Sequence, residues 1–169
     1  IIAEKPSVAL SIAKVVGASS RKDGYAQGNG YMVSWCVGHL IQMASPDKYD
    51  EKYAKWNLND LPILPKEFKY EVSKNTKKQY GVLKKLLHLK EVDTVINACD
   101  AGREGELIFR YIYEYLKCNK PFERLWISSL TEKAIKQGFE NLKQGKEFDG
   151  LYQAAQGRSR ADWLVGINA

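Results

Sequence analysis

The chain has 169 residues, of which 44% are hydrophobic, and a net charge of +6 from 26 Lys and Arg against 20 Asp and Glu. This composition excludes a disordered linker and predicts one globular domain with part of a second. No segment approaches the roughly 20 consecutive apolar residues of a membrane span, which excludes a membrane partner. Cys36, Cys99 and Cys118 form no CxxC pair, so the sequence predicts neither a disulfide framework nor a zinc site, but a reducing intracellular compartment.

The positive charge is concentrated in the middle of the chain. Residues 48–90 contain eleven Lys and no Arg against five acids, and several of these lysines lie close together between residues 74 and 85. A cationic surface for a polyanion is one interpretation of this segment. A solvated helix face is the other, and charge alone favours it.

The first part of the chain predicts two strands around a helix. Ile1–Ala3 has the composition of the end of a buried strand, and Pro6 opens an apolar helix. A β-branched and aromatic run over Tyr31–Val37 predicts a second strand. Residues 41–73 alternate proline, charge and aromatic residues without a sustained period, so we expect a long excursion outside the sheet.

The second part predicts further strand and helix alternation. Asn75 is a candidate N-cap for a helix that ends at about His88. The sequence then predicts a central parallel strand over Val92–Cys99, a helix over Glu104–Leu116 and a short strand over Leu125–Ile127. This alternation over the first 128 residues indicates a parallel α/β sheet with right-handed crossovers.

After residue 128 we expect helices only. Ser129 and Glu132 predict a capping box for a helix from about Thr131 to Lys143. The stretch Asp149–Trp163, rich in Ala, Gln and Arg, predicts a further helix.

Acidic residues follow two of the predicted strands. Glu4 comes directly after the first strand, and Asp100 comes after the central one. Ligands of open parallel sheets bind at the carboxyl ends of the strands, so these carboxylates converge if the strands are neighbours. Carboxylates that lie close together repel each other, so either the pKa of one of them is raised or they bind a hard cation such as Mg²⁺. The sequence therefore predicts a magnesium site at this edge.

Glu104 and Glu106 extend the acidic cluster, but not together. Two residues apart on a helix, they point about 200° away from each other, so at most one joins Asp100. Gly102 and Gly105 permit a tight strand-to-helix turn that a phosphate can approach. An equally weighted alternative is that the two glutamates only complement the positive helix N-terminus and that Glu4 is solvated.

Cationic and imidazole groups lie beside these acids. Lys5 and Arg103 are candidate donors to a phosphoryl group. His39 follows the second strand at the same edge, where a histidine alone is more often a structural hydrogen-bonding group.

Five segments, in this order, resemble the N-terminal part of type IA DNA topoisomerases, in particular the bacterial topoisomerase III branch. The segments are Glu4–Ser7, Cys36–Leu40, Trp56–Asn57, Asp100–Leu107 and Arg158–Asn168. The resemblance implies an α/β Toprim fold, a Rossmann-like parallel sheet flanked by helices, followed by a short all-helical segment. It places a metal-binding Toprim domain at residues 1–130 and the start of a helical single-stranded DNA-binding domain at 131–169.

The resemblance also implies roles for individual residues. It assigns Glu4, Asp100 and Glu104 to Mg²⁺ binding and catalysis and Lys5 to stabilisation of the phosphate in the transition state. It assigns Arg158 and Arg160 to the DNA backbone and places His39, Trp56 and Arg103 near the DNA.

One position departs from the pattern. The middle acid of the family's Asp-x-Asp-x-Glu motif falls at Gly102, which removes a carboxylate from any second metal position. The helical spacing argues against Glu106 as its replacement.

The implied activity is ATP-independent cleavage, passage and rejoining of single DNA strands through a 5′-phosphotyrosyl bond. No tyrosine of the chain lies in a nucleophile motif, so the chain alone is expected to be inactive. A bacterial cytoplasmic, nucleoid-associated monomer is implied, with single-stranded DNA, a helicase and a single-strand-binding protein as partners.

Two other functions remain open. In a Toprim nuclease or primase the same acids would activate water or a 3′-hydroxyl. In a non-catalytic nucleic-acid-binding module, the lysines of residues 74–85 would hold DNA and the acids would be structural.

Overall fold

The computed structural model describes all 169 residues and contains a seven-stranded sheet with helices on both faces, beside a two-stranded sheet. The strands are β1 (Ile2–Ala3), β2 (Ser20–Lys22), β3 (Tyr25–Gly28), β4 (Tyr31–Trp35), β5 (Ile41–Met43), β6 (Tyr70–Val72), β7 (Val95–Ala98), β8 (Phe122–Arg124) and β9 (Lys143–Gln144). The helices are α1 (Pro6–Val16), α2 (Lys77–Leu87), α3 (Arg103–Tyr115), α4 (Glu132–Glu140) and α5 (Asp149–Asn168). None of them is both long and apolar enough to cross a membrane.

The main sheet runs in the order β2-β3-β4-β1-β7-β8-β9. Its four inner strands β4, β1, β7 and β8 are parallel, whereas β2, β3 and β9 pair antiparallel at the two sides. The predicted parallel α/β sheet is therefore confirmed at its centre, and β7 is the central parallel strand that its composition indicated.

The central strand β1 is short, and both of its faces are buried. In β1, Ile2 packs into the core on one face and Ala3 into the core on the other, because successive side chains of a strand point in opposite directions. Helix α1 follows at once, with Pro6 in its first turn, and ends at Gly17, whose φ of 83° is the left-handed conformation that glycine adopts without strain.

Two hydrophobic cores enclose the sheet. Helices α1 and α4 contribute Ile12 and Ile135 to the core on one face. Helices α2 and α3 contribute Leu83, Phe109 and Ile112 to the core on the other face. The sheet edge that carries the carboxyl ends of the parallel strands lies between these layers and is left open.

The excursion predicted for residues 41–73 does lie outside the main sheet, but it begins and ends with β5 and β6, which pair with each other. Residues 44–69, called the excursion below, join these two strands as three 3-10 turns and irregular chain. Helix α5 packs against it. The Trp163 ring lies 5.8 Å from the rings of both Tyr49 and Phe68, and the Asn168 side chain exchanges two hydrogen bonds with the backbone of Ile63. The excursion and α5 therefore form one wall above the sheet edge.

Several element predictions are wrong. The expected strand Leu125–Ile127 lies earlier, as β8, and the cap of α4 is Thr131, whose hydroxyl accepts from the Ala134 N–H, rather than Ser129. Strand β9 contradicts the expectation of helices only after residue 128. Both residues of β9 are exposed and polar, so no hydrophobic alternation marks them. The same holds for β2, which the sequence did not indicate.

Candidate metal centre

The two acids that follow β1 and β7 lie at one edge of the sheet. The strands are parallel neighbours, with Ala3 opposite Ala98, so Glu4 and Asp100 leave the sheet side by side. Both line a cavity of about 960 Å³ between this edge and helix α5. The predicted convergence of two carboxylates is present in the structure.

The environment of Glu4 disfavours its ionised form. Its Oε1 is buried without a hydrogen-bond donor. Burial, followed by the hydrogen bond that a protonated Glu4 makes with Asp100 and by repulsion from the Asp100 charge, raises the pKa of Glu4 to about 7. An orphaned carboxylate oxygen beside a second carboxylate is an arrangement that a bound cation would relieve.

Glu104 lines the same cavity but does not complete this pair. Its carboxylate forms a hydrogen bond with the ring Nε2 of His39, which follows β4, and its side chain is 70% exposed. No three His, Cys, Asp or Glu side chains stand close enough together to hold a metal ion. Glu4 and Asp100 are thus a two-carboxylate site, with Glu104 and His39 paired on the cavity wall.

Glu106 does not reach the cavity, as its helical spacing from Glu104 predicted. Its side chain is fully buried, with Arg124 Nε 2.6 Å from Oε1 and Arg110 Nε 3.2 Å from Oε2. The Asn97 amide also donates to Oε1 at 3.0 Å. Glu106 therefore neutralises two buried arginines and leaves the position of Gly102 without a substitute carboxylate.

The opposite wall of the cavity comes from α5. Arg158, Ser159, Asp162 and Trp163 line it, and the Arg158 side chain is 68% exposed with Asp162 4.0 Å away. Arg103, at the start of α3, lines the sheet side and is exposed. Two cationic side chains, one on each side, therefore line the same cavity as the carboxylate pair.

Three of the predicted site residues lie elsewhere. Arg160 points toward the excursion, with its guanidinium 5.0 Å from the Phe68 ring centre and 3.3 Å from the Tyr70 hydroxyl. Lys5 is exposed at the start of α1, and Trp56 is 73% exposed between two 3-10 turns; neither is among the cavity-lining residues. The resemblance implied a role for each of these residues but did not indicate where its side chain points.

Sequence reasoning missed several cavity residues, among them Tyr111 and Trp163. Tyr111 lies within the helix predicted over Glu104–Leu116 and lines the cavity, and burial raises the pKa of its hydroxyl to about 12. Trp163 lies within the segment Arg158–Asn168, and the resemblance implies no role for it. Neither helix pattern indicated the cavity.

Comparison with known proteins identifies the fold family. The sequence model of the Toprim domain matches residues 1–130. The chain belongs to the Toprim domain family. The carboxylate pair thus lies at the sheet edge of a Toprim domain.

The relatives of this Toprim chain include DNA topoisomerases. It is 54% identical over all 169 residues to DNA topoisomerase 3 of Bacillus cereus and 50% identical over 168 residues to that of Shouchella clausii. It spans 23% of the length of each. The full-length topoisomerase I of Thermotoga maritima matches 85% of this chain and 20% of its own, with a TM-score of 0.55 and 25% identity.

Proposed function

We propose that this chain is the metal-binding part of a type IA DNA topoisomerase, which breaks one DNA strand, passes another and rejoins the first. The observation that carries the proposal is the pair Glu4 and Asp100 at the open edge of a Toprim sheet. The resemblance of all 169 residues to part of DNA topoisomerase 3 supports it. That resemblance includes α5, which disfavours a nuclease, a primase or a non-catalytic binding module.

Mg²⁺ is the ion that fits the pair. Protein magnesium sites use oxygen ligands, commonly one or two carboxylates, with waters and substrate phosphates completing the octahedron. Glu4 and Asp100 would hold it, and Glu104 could join them by leaving His39. When bound, the ion would neutralise charge on the scissile phosphate. The two-carboxylate arrangement supports a single ion, since Gly102 contributes no third acid.

The cavity would receive a single DNA strand. Arg103 and Arg158 are exposed on opposite walls and are suited to contact backbone phosphates. His39 lines the same cavity and is hydrogen-bonded to Glu104. We propose Lys5 for the scissile phosphate and Trp56 and Arg160 for DNA, as the family pattern implies. We propose that the metal-binding Toprim domain covers residues 1–130 and that the helical DNA-binding region begins at residue 131.

The tyrosine that forms the 5′-phosphotyrosyl bond is not one of those that pack beside the cavity. Tyr111 is 5% exposed, and its pKa of about 12 keeps its hydroxyl protonated. Tyr152 is 6% exposed and donates to the Glu114 carboxylate, and burial, followed by this hydrogen bond, likewise raises the pKa of its hydroxyl. A buried, protonated hydroxyl is a poor nucleophile. Because no other tyrosine of the chain lies in a nucleophile motif either, we propose that the chain alone does not relax supercoiled DNA.

The remaining elements of the proposal concern the cell. We propose a bacterial, cytoplasmic, nucleoid-associated protein that acts as a monomer on single-stranded DNA. A helicase and a single-strand-binding protein are its proposed partners.

The test is a chimera in which this chain replaces the matching N-terminal 23% of Bacillus cereus DNA topoisomerase 3. The proposal expects the chimera to relax negatively supercoiled DNA with Mg²⁺, and the Asp100→Asn chimera to lose relaxation while remaining folded. A folded chimera without activity, or one whose activity survives Asp100→Asn, contradicts the proposal.

Mg²⁺ binding should depend on pH through Glu4. Its pKa of about 7 is set by burial, by Asp100 and, in the opposite direction, by Lys5, so below pH 7 the ion must displace a proton. We expect the apparent affinity to fall about tenfold for each pH unit below 7 and to level off above it, because one proton is released. Calorimetric Mg²⁺ titrations across this range measure it. A pH-independent affinity would show that Glu4 is not a ligand.

Arg158 should contribute to DNA affinity through a phosphate. We expect Arg158→Ala to weaken binding of oligo-dT and to reduce the slope of log affinity against log salt by about 0.7, the value for one phosphate contact on single strands. Fluorescence anisotropy at several salt concentrations measures both. Arg21→Ala, on the exposed strand β2, is the matched control and should leave both unchanged. Equal slopes of log affinity against log salt in the two variants would show that Arg158 does not contact a DNA phosphate.

A further inference from the structure

Arg124 is a fully buried charge in strand β8, next to the strand that delivers Asp100. Its Nη1 donates to the carbonyl oxygens of Asn97 at 3.2 Å, Cys99 at 2.5 Å and Leu125 at 3.1 Å. Its Nη2 donates to the Asp100 carbonyl at 2.7 Å. One guanidinium therefore binds the backbone carbonyls at the end of β7 and in the loop of residues 99–102 that joins β7 to α3, here called the metal loop.

This arrangement has a physical reason. The ladder between β7 and β8 ends at Asn97, whose carbonyl accepts from the Leu125 N–H. The carbonyls of Cys99 and Asp100 have no strand partner, and buried carbonyls without donors are costly. Arginine has five N–H donors in a planar fork, which suits several acceptors at once. The cost of burying its charge is offset by Glu106, 2.6 Å from Nε and also fully buried.

The metal loop is confined from the other side by helix α3. A Cβ placed on Gly105 would lie 1.9 Å from the Asp100 carbonyl oxygen, so the backbone of α3 packs directly against that carbonyl. The Asn97 side chain adds a third restraint by accepting from the Cys99 N–H at 3.0 Å. The Asp100 carbonyl thus has one position, between Gly105 and the Arg124 guanidinium.

We propose that Arg124 is a positioning residue for the metal centre. It touches neither the ion nor the DNA, but it holds the backbone of residues 97–100 so that the Asp100 carboxylate faces Glu4. Glu106 is its counter-ion, and both act through the loop. This inference rests on the proposed Mg²⁺ site.

A variant of Arg110 can distinguish a positioning role of Arg124 from a general effect on stability. Arg110 is also buried and also pairs with Glu106, at 3.2 Å, but its other polar contacts are Asp149 at 2.7 Å and the Gly145 carbonyl at 2.9 Å. It makes no hydrogen bond to residues 97–100. Arg110→Met therefore removes a buried arginine of the same network without releasing the metal loop.

The experiment compares Mg²⁺ affinity by calorimetry in the wild-type chain, Arg124→Lys, the double variant Glu106→Gln/Arg124→Met, and Arg110→Met, at a temperature where circular dichroism shows each to be folded. The double variant leaves no unpaired charge on either side of the 2.6 Å pair, which favours folding. Lysine at position 124 keeps the charge but offers a single nitrogen to the four carbonyls.

The proposal expects both Arg124 variants to bind Mg²⁺ about 10–100-fold more weakly than wild type, the usual cost of losing a support of a metal ligand, and Arg110→Met to bind within about threefold of it. Wild-type affinity in either folded Arg124 variant would overturn the positioning role alone. Absence of Mg²⁺ binding in the wild-type chain would overturn the metal site itself.

Discussion

Replacing Glu106 by alanine is expected to lower the free energy of unfolding by about 3–5 kcal/mol, the cost of breaking a buried ion pair from one side. The side chain is fully buried between Arg110 and Arg124. Arg110 retains Asp149, but no other carboxylate pairs with Arg124, whose charge would stay in the core uncompensated. Urea unfolding of the chain, followed by circular dichroism, measures the loss.

Glu104→Ala is the matched control, two residues earlier on the same helix. Its side chain is 70% exposed and pairs only with the partly exposed His39, so we expect a change of at most about 1 kcal/mol. Equal losses in the two variants would show that the buried network contributes no more than an exposed pair.

Gly105→Ala is expected to destabilise the fold by about 3 kcal/mol and to weaken Mg²⁺ binding together with it. The new methyl group would lie 1.9 Å from the Asp100 carbonyl oxygen and 2.8 Å from its carbon, both backbone atoms that cannot rotate away. Either α3 or the metal loop must move, and the loop carries Asp100. Urea unfolding and Mg²⁺ calorimetry measure the two effects.

Gly102→Ala provides the comparison. A Cβ there meets no atom within 4 Å, and its φ of 165° is extended backbone that any residue adopts. We expect its stability and Mg²⁺ affinity to remain close to wild type. A Gly105→Ala protein as stable as Gly102→Ala would mean that the close approach of α3 to the metal loop is not needed.

The convergence of Glu4 and Asp100 could be predicted because it depends on one general property of parallel sheets. Side chains that follow neighbouring strands share an edge, and the short apolar runs before both acids indicated those strands. The exclusion of Glu106 followed in the same way from helical geometry. Neither inference needed side-chain directions beyond the period of the element.

Other features depend on contacts that sequence patterns do not encode. Arg124 and Glu106 meet only once β8 and α3 pack together, and no pattern in the sequence indicates that these two residues pair. The bond of Glu104 to His39, rather than to Asp100, depends on the loop after β4. Strands β2 and β9 are exposed and polar, and only pairing with their neighbours defines them.

The most direct test of the account is a Mg²⁺ titration of the chain above the pKa of Glu4, beside Glu4→Gln and Asp100→Asn. These substitutions keep the shape of each side chain and remove one negative charge. The account predicts saturable binding to the wild-type chain and an affinity at least about tenfold weaker in each variant. Wild-type affinity in both variants, or no binding by the folded wild-type chain, would contradict it.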